Sequence, residues 1–323
     1  MKKRVLLGAV LGVGVLVTVI FLSKIAPYYF SFYIVPPSPQ AYVEQALARM
    51  DGYGLYATDR EWGRMREWAL NACQDCATYS DAHSIIERAL TVAGGKHSFL
   101  QPAAEKHAEE SLEKPSFALK GRIAFIRLPA FSGTGDAAVQ YAESVQHFIH
   151  DSKSNIDGVL LDLRGNTGGD LGPMLSAVAS LLPDGELLVY SYRAMEQAVV
   201  LNEGVLANAG SGEYGAYLDE KLHVPVALLV DSETASSAEA LLLCFDGLEN
   251  VRSFGSEATA GYTSVNRIYA LYDGAQMALT VAAMQTRDGV VYENTPIMPN
   301  ALTSAPEDAA SAWLQSMVKT SQE

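Results

Sequence analysis

The chain has 323 residues, of which 49% are apolar and 19% are charged, and it contains 26 Gly, 13 Pro and only 3 Cys. This composition predicts a globular protein with a sizeable core and excludes a disordered chain, a disulfide-stapled small scaffold and a collagen-like repeat. Beyond the first 24 residues, 19 lysines and arginines face 37 aspartates and glutamates, a net charge of −18. A body this acidic excludes nucleic acid as a partner, and it either attracts cationic partners or simply keeps the protein soluble.

The N-terminal end has the pattern of a membrane anchor. Residues 5–23 read VLLGAVLGVGVLVTVIFLS without a charge, and a helix of that length spans roughly 28 Å, enough to cross a hydrocarbon core. Because Lys2, Lys3 and Arg4 precede this run, we expect the N-terminus in the cytoplasm and the body outside the cell. A cleaved signal peptide is the alternative, but no small-x-small cleavage site follows the run. We therefore expect residues 1–38 to form a cytoplasmic tip, a single-pass transmembrane helix and a proline-rich spacer.

The next segment, residues 39–100, is predicted to be a helical subdomain because its apolar residues recur at helical spacing. This spacing is clearest in Ala41–Met50, Trp62–Cys73 and Ala82–Val92. Cys73 and Cys76 form a lone C-x-x-C pair, which leaves a local disulfide and two free thiols both open. No second pair completes a zinc site, so we expect no bound metal. Residues 101–116 are polar and charged and predict a linker.

From residue 117 to the end, short apolar strands alternate with helices, which predicts an α/β (α+β) core built from βα units. The predicted strands are Arg122–Leu128, Gly158–Leu163, Glu186–Tyr192, Val226–Val230 and Val251–Gly255. The predicted helices are Asp136–Ser152, Leu171–Leu182, Ser236–Leu248 and a terminal Pro306–Val318. Residues 267–294 alternate around two Asp-Gly turns and predict a β meander.

One candidate site for chemistry is the segment 234–239, which reads T-A-S-S-A-E between a predicted strand and a predicted helix. At such a turn Ser236 can project its hydroxyl from the end of the sheet, and the Ser237 N–H can face a developing oxyanion. On this segment alone, a purely structural interpretation is favoured. Ser236 and Glu239 have the spacing of a helix capping box.

Two further segments follow the same logic. Residues 162–169 read D-L-R-G-N-T-G-G after a strand, and Gly168 and Gly169 permit a close backbone approach and leave amides for an anion. Residues 94–99 read G-G-K-H-S-F, and His97 on this glycine-flanked loop is freer to act as a base than a histidine on a helix face. A glycine-rich βα turn and an ordinary loop histidine are the alternatives.

Together, D-L-R-x-N-x-G-G followed by T-A-S-S-A-E resembles the tail-specific (C-terminal-processing) serine protease family over roughly residues 90–300. The resemblance implies a protease-like α/β fold, with Ser236 as the nucleophile. It also implies an oxyanion hole formed by the Ser237 amide and one amide of Gly168 or Gly169. No cofactor and no metal is implied.

The base departs from the commonest pattern of that family. Many members pair the serine with a later lysine, but at that spacing this chain has Gly261, and the only lysine after Ser236 is Lys319. Members that use a histidine from an upstream loop are closer, which implies His97 as the base. An orienting acid is left open. Glu293 stands where some relatives carry an acidic residue, whereas a plain dyad is also possible.

For Glu239 the resemblance leaves two interpretations open, a helix cap or a contact to positive charge on a substrate. The gap at residues 101–116 is too short for the PDZ domain that many relatives carry. A membrane-anchored member without a PDZ domain resembles the subgroup implied to cleave the C-terminal tail of a cationic lantibiotic such as nisin outside the cell, which confers antibiotic resistance. The alternatives are a protease that trims the C-termini of exported proteins and a non-catalytic surface protein that sequesters an antimicrobial peptide.

Overall fold

The computed structural model describes residues 35–103, 113–210, 214–215 and 221–320, together with Val13, Gly14 and Thr18. Apart from those three positions, the predicted transmembrane helix at residues 5–23 lies outside the described residues. Within the described part of the chain, no helix has the length and apolar character needed to cross a bilayer. The chain divides into two compact units. The first holds residues 1–108 and 266–281, and the second holds residues 109–265 and 282–323.

The first unit contains the three predicted helices, each slightly longer than its clearest apolar repeat. They are α1 (Pro39–Tyr53), α2 (Arg60–Ala72) and α3 (Tyr79–Gly94). Each begins after a polar residue whose side chain accepts a hydrogen bond from the first turn, which satisfies an otherwise unpaired backbone donor. These caps are Ser38, Asp59 and Thr78. Immediately after α2, a disulfide joins Cys73 to Cys76, which decides between the two possibilities that the sequence left open.

Among the described residues, three strands contribute to the first unit. Strand β1 (Phe99–Gln101) follows α3 and pairs antiparallel with the first part of β12 (Gln276–Gln285), with Phe99 opposite Ala278. Strand β11 (Ser264–Ala270) also pairs with β12. The chain therefore enters this unit a second time after residue 265 and leaves it after residue 281.

The second unit is built on a six-stranded sheet in which only the β2 edge is antiparallel. Its spatial order is β14 (Ala301–Leu302), β10 (Val251–Gly255), β9 (Val226–Leu229), β4 (Gly158–Asp162), β3 (Ile123–Arg127) and β2 (Ser116–Lys120). The central strands are buried along almost their whole length, as expected for parallel strands covered on both faces. In β4, Val159 and Leu161 pack into one core and Leu160 into another.

Helices cover both faces of this sheet. The larger core packs against α4 (Asp136–Ser152), α5 (Leu171–Ala177) and α6 (Ser237–Cys244). The smaller core packs against α7 (Pro306–Thr320) through Ala310 and Leu314. The mixed α/β architecture predicted from the sequence is confirmed, and the described residues contain no separate PDZ-type domain.

An antiparallel meander completes the second unit. It comprises β5 (Gly185–Tyr192), β6 (Glu196–Asn202), β7 (Val205–Ala207) and β8 (Tyr214–Gly215). The second part of β12 pairs with β5 and with the short β13 (Val291–Tyr292). The sequence predicted β5 but not the three strands after it, and it predicted a longer α6 than the eight residues observed.

Candidate active site

Two turns meet at the carboxyl ends of the neighbouring parallel strands β4 and β9. We call residues 163–170 the glycine turn and residues 230–236 the serine turn. The Thr234 hydroxyl donates to the Leu163 carbonyl at 2.9 Å, and the Ala235 N–H donates to the Asn166 carbonyl, also at 2.9 Å. The two segments that carry D-L-R-G-N-T-G-G and T-A-S-S-A-E are thus hydrogen-bonded to each other where open α/β sheets commonly place their sites.

Asp231 joins these two turns, and sequence reasoning did not identify it. Its carboxylate accepts from the Gly165 N–H at 3.1 Å and, within its own turn, from the N–H groups of Glu233 and Thr234 at 3.1 and 3.0 Å. An aspartate that accepts from the N–H two residues later is an Asx turn. The spacing D-x-x-T before the serine was therefore an available local signal.

Ser236 lies at the junction between the serine turn and α6, in a backbone conformation that non-glycine residues rarely adopt. Its φ is 55° and its ψ is −114°. Strain of this kind persists only where the surrounding structure enforces it, and it occurs often at functional sites. A sharp strand-to-helix turn also presents the nucleophilic serine in α/β-hydrolases, although this chain lacks their G-x-S-x-G sequence.

Glu239 supplies that enforcement from the first turn of α6. Its carboxylate is fully buried and accepts from the N–H groups of Ser236, Tyr262 and Gly261 at 2.9, 2.7 and 2.8 Å, and from the Thr259 hydroxyl. Burial raises the pKa of the Glu239 carboxyl, and the four donated hydrogen bonds oppose that shift. Because the carboxylate is withdrawn from solvent and fixes the Ser236 backbone, the structure supports the capping interpretation of Glu239 and not a contact to substrate charge.

Gly261, at the lysine spacing of many relatives, has no room for any side chain. Its φ is +76°, and a Cβ there would lie 2.7 Å from Cδ and N of Pro296. The position contributes instead its N–H, which Glu239 accepts. A lysine base at this place is therefore excluded by sterics as well as by sequence.

The paired glycines are required by the contacts of their turn. The φ values of Gly168 and Gly169 are +101° and +119°, and a Cβ on Gly168 would lie 2.7 Å from Cβ of Ser236. On Gly169 it would lie 1.9 Å from the Phe131 carbonyl oxygen. Only glycine permits this approach of backbone to backbone.

The N–H groups of Gly168 and Gly169 differ in the hydrogen bonds that they make within the glycine turn. The Gly168 N–H donates to the Asn166 side chain at 2.9 Å. In the adjacent backbone, the Phe131 N–H donates to the Gly168 carbonyl at 3.0 Å, and the Asp170 N–H donates to the Phe131 carbonyl at 2.6 Å. The Gly169 N–H takes part in none of these bonds, which makes it the better candidate of the pair for an oxyanion donor.

Ser237 connects the nucleophile to the glycine turn. Its N–H lies in the first turn of α6, where backbone donors have no partner within the helix. Its hydroxyl donates to the Gly169 carbonyl at 2.7 Å, a contact that sequence reasoning missed. Ser236, Ser237, Gly168, Gly169 and Glu239 are therefore brought together in the second unit.

The two remaining predicted site residues lie elsewhere in the chain. His97 belongs to the first unit, at the end of a short 3₁₀ turn (Gly95–His97) between α3 and β1. Glu293 belongs to the second unit, directly after β13, where its side chain is exposed and its carbonyl accepts from the Thr295 hydroxyl at 2.9 Å. Among the described residues, no cluster of histidine, cysteine and acidic side chains is suited to a metal ion.

Comparison with known proteins agrees with this arrangement. The family model described as peptidase family S41 matches residues 122–303. The chain is 36% identical to the nisin-resistance protein of Lactococcus lactis subsp. lactis over 98% of its own length and 99% of that protein. It is 28% identical to the chloroplastic C-terminal processing peptidase of Tetradesmus obliquus over 58% of this chain, but it spans only 36% of that protein.

Among solved structures, the fold is similar to a lipoprotein from Streptococcus agalactiae. The TM-score is 0.79 and the identity is 33%, over 88% of this chain and 99% of the other. The motifs, the strained serine beside paired glycines and the family match all point to the same chemistry. The chain belongs to peptidase family S41 and is a serine peptidase of the C-terminal-processing type.

Proposed function

We propose that this protein is an extracytoplasmic, membrane-anchored serine endopeptidase that removes the C-terminal tail of a cationic lantibiotic such as nisin and so confers resistance to it. The observation that carries the proposal is the placement of Ser236 at a strained strand-to-helix turn beside paired glycines. Similarity over nearly the full length to a nisin-resistance protein supports the substrate class. In the proposed domain organisation, residues 1–38 anchor the chain and residues 39–100 form a helical subdomain. Residues 101–116 form a linker to the protease core, which comprises residues 117–323.

The proposed mechanism is acyl transfer in two halves. Ser236 Oγ attacks the scissile carbonyl while His97 takes its proton, and His97 then returns that proton to the leaving amine. Water hydrolyses the resulting acyl-enzyme, with His97 again acting as the base. The N–H groups of Ser237 and Gly169 hold the oxyanion in both halves, and such a donor contributes about 3 kcal/mol to stabilisation of the transition state.

The catalytic group is proposed as a Ser–His pair. Glu239 is committed to the backbone of Ser236 and to the loop at residues 259–262, so it is not available to orient the imidazole. Glu293, which is exposed, is the remaining candidate for an orienting acid. A plain dyad is the simpler alternative.

Charge supports a cationic substrate without identifying it. Residues 25–323 carry 37 acidic against 19 basic side chains, and a field of that sign accelerates the encounter with a cationic peptide. Salt screens such steering over about 8–10 Å at physiological ionic strength. We therefore expect kcat/KM for a cationic peptide to fall as salt rises, whereas kcat stays constant.

The experiment is incubation of the full chain, in detergent micelles, with nisin, followed by mass analysis of the products. Cleavage within the C-terminal region is expected for the wild type. Ser236→Ala is expected to abolish it, and His97→Ala is expected to lower its rate by orders of magnitude to a residual rate that can still be measured. His223→Ala, at an exposed histidine, is the matched control and keeps full activity. Retained cleavage in Ser236→Ala contradicts the assignment of the nucleophile, and a near-normal rate in His97→Ala contradicts the assignment of the base.

The same assay separates the alternative functions. Cleavage of linear, apolar C-terminal peptides in preference to nisin supports a protease that trims exported proteins. Binding of nisin without any cleavage product supports a sequestering surface protein, in which Ser236 only precedes a helix.

A further inference from the structure

A ring of hydrogen bonds in the first unit holds the His97 carbonyl and the side chain of Ser98, the residue that follows it. The Asn266 side-chain N–H donates to the His97 carbonyl at 2.7 Å, and the Asn266 side-chain oxygen accepts from the Thr280 hydroxyl, also at 2.7 Å. Ser98, the residue after His97, closes the ring. Its hydroxyl donates to the Thr280 hydroxyl at 3.1 Å and accepts from the Thr280 N–H at 2.9 Å.

We propose that Asn266 and Thr280 are positioning residues for the His97 base. This inference rests on the proposed function, in which His97 moves the proton of the nucleophile. Neither residue is assigned a direct contact with the reacting atoms. Each acts by fixing the loop that carries the imidazole.

The directions of the bonds in this ring are determined by the groups that form it. A backbone carbonyl only accepts, so the amide of Asn266 must turn its NH₂ toward His97 and its oxygen toward Thr280. The Thr280 hydroxyl therefore donates to Asn266 and accepts from Ser98. Each side chain has one arrangement that satisfies all its partners, and the ring specifies a single conformation of the loop.

Because the ring is buried, breaking any of its hydrogen bonds is costly. Thr280 is fully buried and Ser98 is 7% exposed, so a lost partner is not replaced by water. The loop also fits closely against β12. A Cβ on Gly94 would lie 2.0 Å from the Ser98 hydroxyl and 3.1 Å from Cβ of Thr280. The loop is therefore fixed by hydrogen bonds at His97 and directly after it, and by close packing at Gly94.

The chain supplies these groups from distant positions. Asn266 and Thr280 lie 169 and 182 residues beyond His97 and Ser98, their respective partners. They stand on β11 and β12, where the chain enters the first unit for the second time. This return of the chain, which the sequence predicted only as a meander, therefore has a specific consequence for the proposed base.

The first test is Asn266→Asp in the full chain, assayed for nisin cleavage. The variant keeps the oxygen that accepts from Thr280 but replaces the donor to His97 with a carboxylate oxygen. We expect kcat to fall about 10- to 100-fold while KM stays within about threefold, because a misplaced base affects the chemical step and not substrate binding.

The matched control is Asn250→Asp. The Asn250 side-chain N–H donates to the Val224 carbonyl at 2.7 Å in the second unit, so the substitution removes the same kind of bond in a place with no role in the proposed chemistry. We expect a comparable loss of stability with normal kcat. Equal losses of kcat in the two variants would mean that Asn266 is merely structural, and this would overturn the proposal.

A second pair of variants applies if Asn266→Asp does not fold. Thr280→Val removes the hydroxyl at nearly constant volume, and we expect the same loss of kcat. Thr280→Ser restores the hydroxyl and is expected to restore kcat to within about threefold of the wild type. If Thr280→Val folds and turns over normally, the proposal is wrong.

A double variant separates this inference from the function on which it rests. If Asn266 acts through His97, Asn266→Asp causes no further loss in a His97→Ala background. A further loss of the full size refutes the positioning role alone. Normal turnover by His97→Ala itself refutes both the proposed base and this inference.

Discussion

Replacing Glu239 with glutamine tests whether its carboxylate holds the nucleophile in place. The side chain is fully buried, and four donors converge on its two oxygens. Glutamine has nearly the same shape but offers one oxygen and one NH₂. Whichever way the amide turns, its NH₂ faces two groups that themselves donate.

The cost follows from the better of the two orientations. With the amide oxygen toward the N–H groups of Ser236 and Tyr262, the NH₂ faces the Thr259 hydroxyl and the Gly261 N–H. The hydroxyl can turn and accept, but the Gly261 N–H is left buried without an acceptor. One such donor costs about 1–3 kcal/mol, which lowers Tm by roughly 2–12 °C for a protein of this size.

The assay combines urea unfolding with cleavage of nisin. Depending on how the amide is oriented, the Ser236 N–H either has a neutral oxygen in place of its charged acceptor or has no acceptor. In both cases its position is held less firmly, so we also expect kcat to fall about tenfold. Glu249→Gln removes the same charge at an exposed position and is expected to leave both stability and kcat unchanged. If Glu239→Gln is as stable and as active as Glu249→Gln, the hydrogen bonds to Glu239 do not hold the turn and the reasoning fails.

Three further outcomes are expected. Gly168→Ala places a Cβ 2.7 Å from that of Ser236, so we expect kcat to fall about 100-fold with an unchanged circular dichroism spectrum, and normal kcat would contradict the close approach. Gly261→Lys is expected to lose at least 1–2 kcal/mol of stability and all activity, since the lysine has no room beside Pro296, whereas an active variant would show that the loop can rearrange. Raising salt from 50 to 300 mM should lower kcat/KM for nisin but not for a neutral peptide. Equal responses would show that electrostatic steering does not contribute to the encounter.

Local patterns allowed most of the fold to be predicted. The helix Asp136–Ser152 was predicted to the residue, because its apolar repeat is regular and its polar flanks are clear. Strand β4 was predicted within one residue for a similar reason, since an unbroken apolar run indicates a strand buried on both faces.

The missed strands lack such a pattern. Strand β2 reads S-F-A-L-K, in which apolar and polar residues do not alternate, and all five residues are exposed. Its first residue also fell within the predicted linker. An edge strand of this kind is fixed by its pairing with β3 and not by its own sequence.

The residues of the candidate site also differ in whether a local pattern in the sequence identifies them. The segments around Ser236, Gly168 and His97 were recognisable because each is a short continuous motif. Asn266 was not recognisable as a site residue, since it acts by a hydrogen bond to a group 169 positions away along the chain. Asp231 also bonds to a distant group, 66 positions away, and only its local D-x-x-T turn offered a signal. A single sequence carries no signal for such long-range bonds unless a local turn accompanies them.

The disulfide between Cys73 and Cys76 has a mechanical consequence for the start of the first unit. It closes a ring of only four residues, and cross-links that short restrict the unfolded chain little. The ring does, however, present the carbonyls of Gln74 and Cys76 to the side chain of Gln40, at 3.2 and 3.1 Å. The Tyr79 hydroxyl donates to the carbonyl of Pro37, three residues before Gln40, at 2.7 Å. Tension applied along the polypeptide from residue 35 is therefore borne by these bonds at the start of α1 before it reaches the rest of that helix, and a reducing agent should weaken this point of attachment without melting the protein.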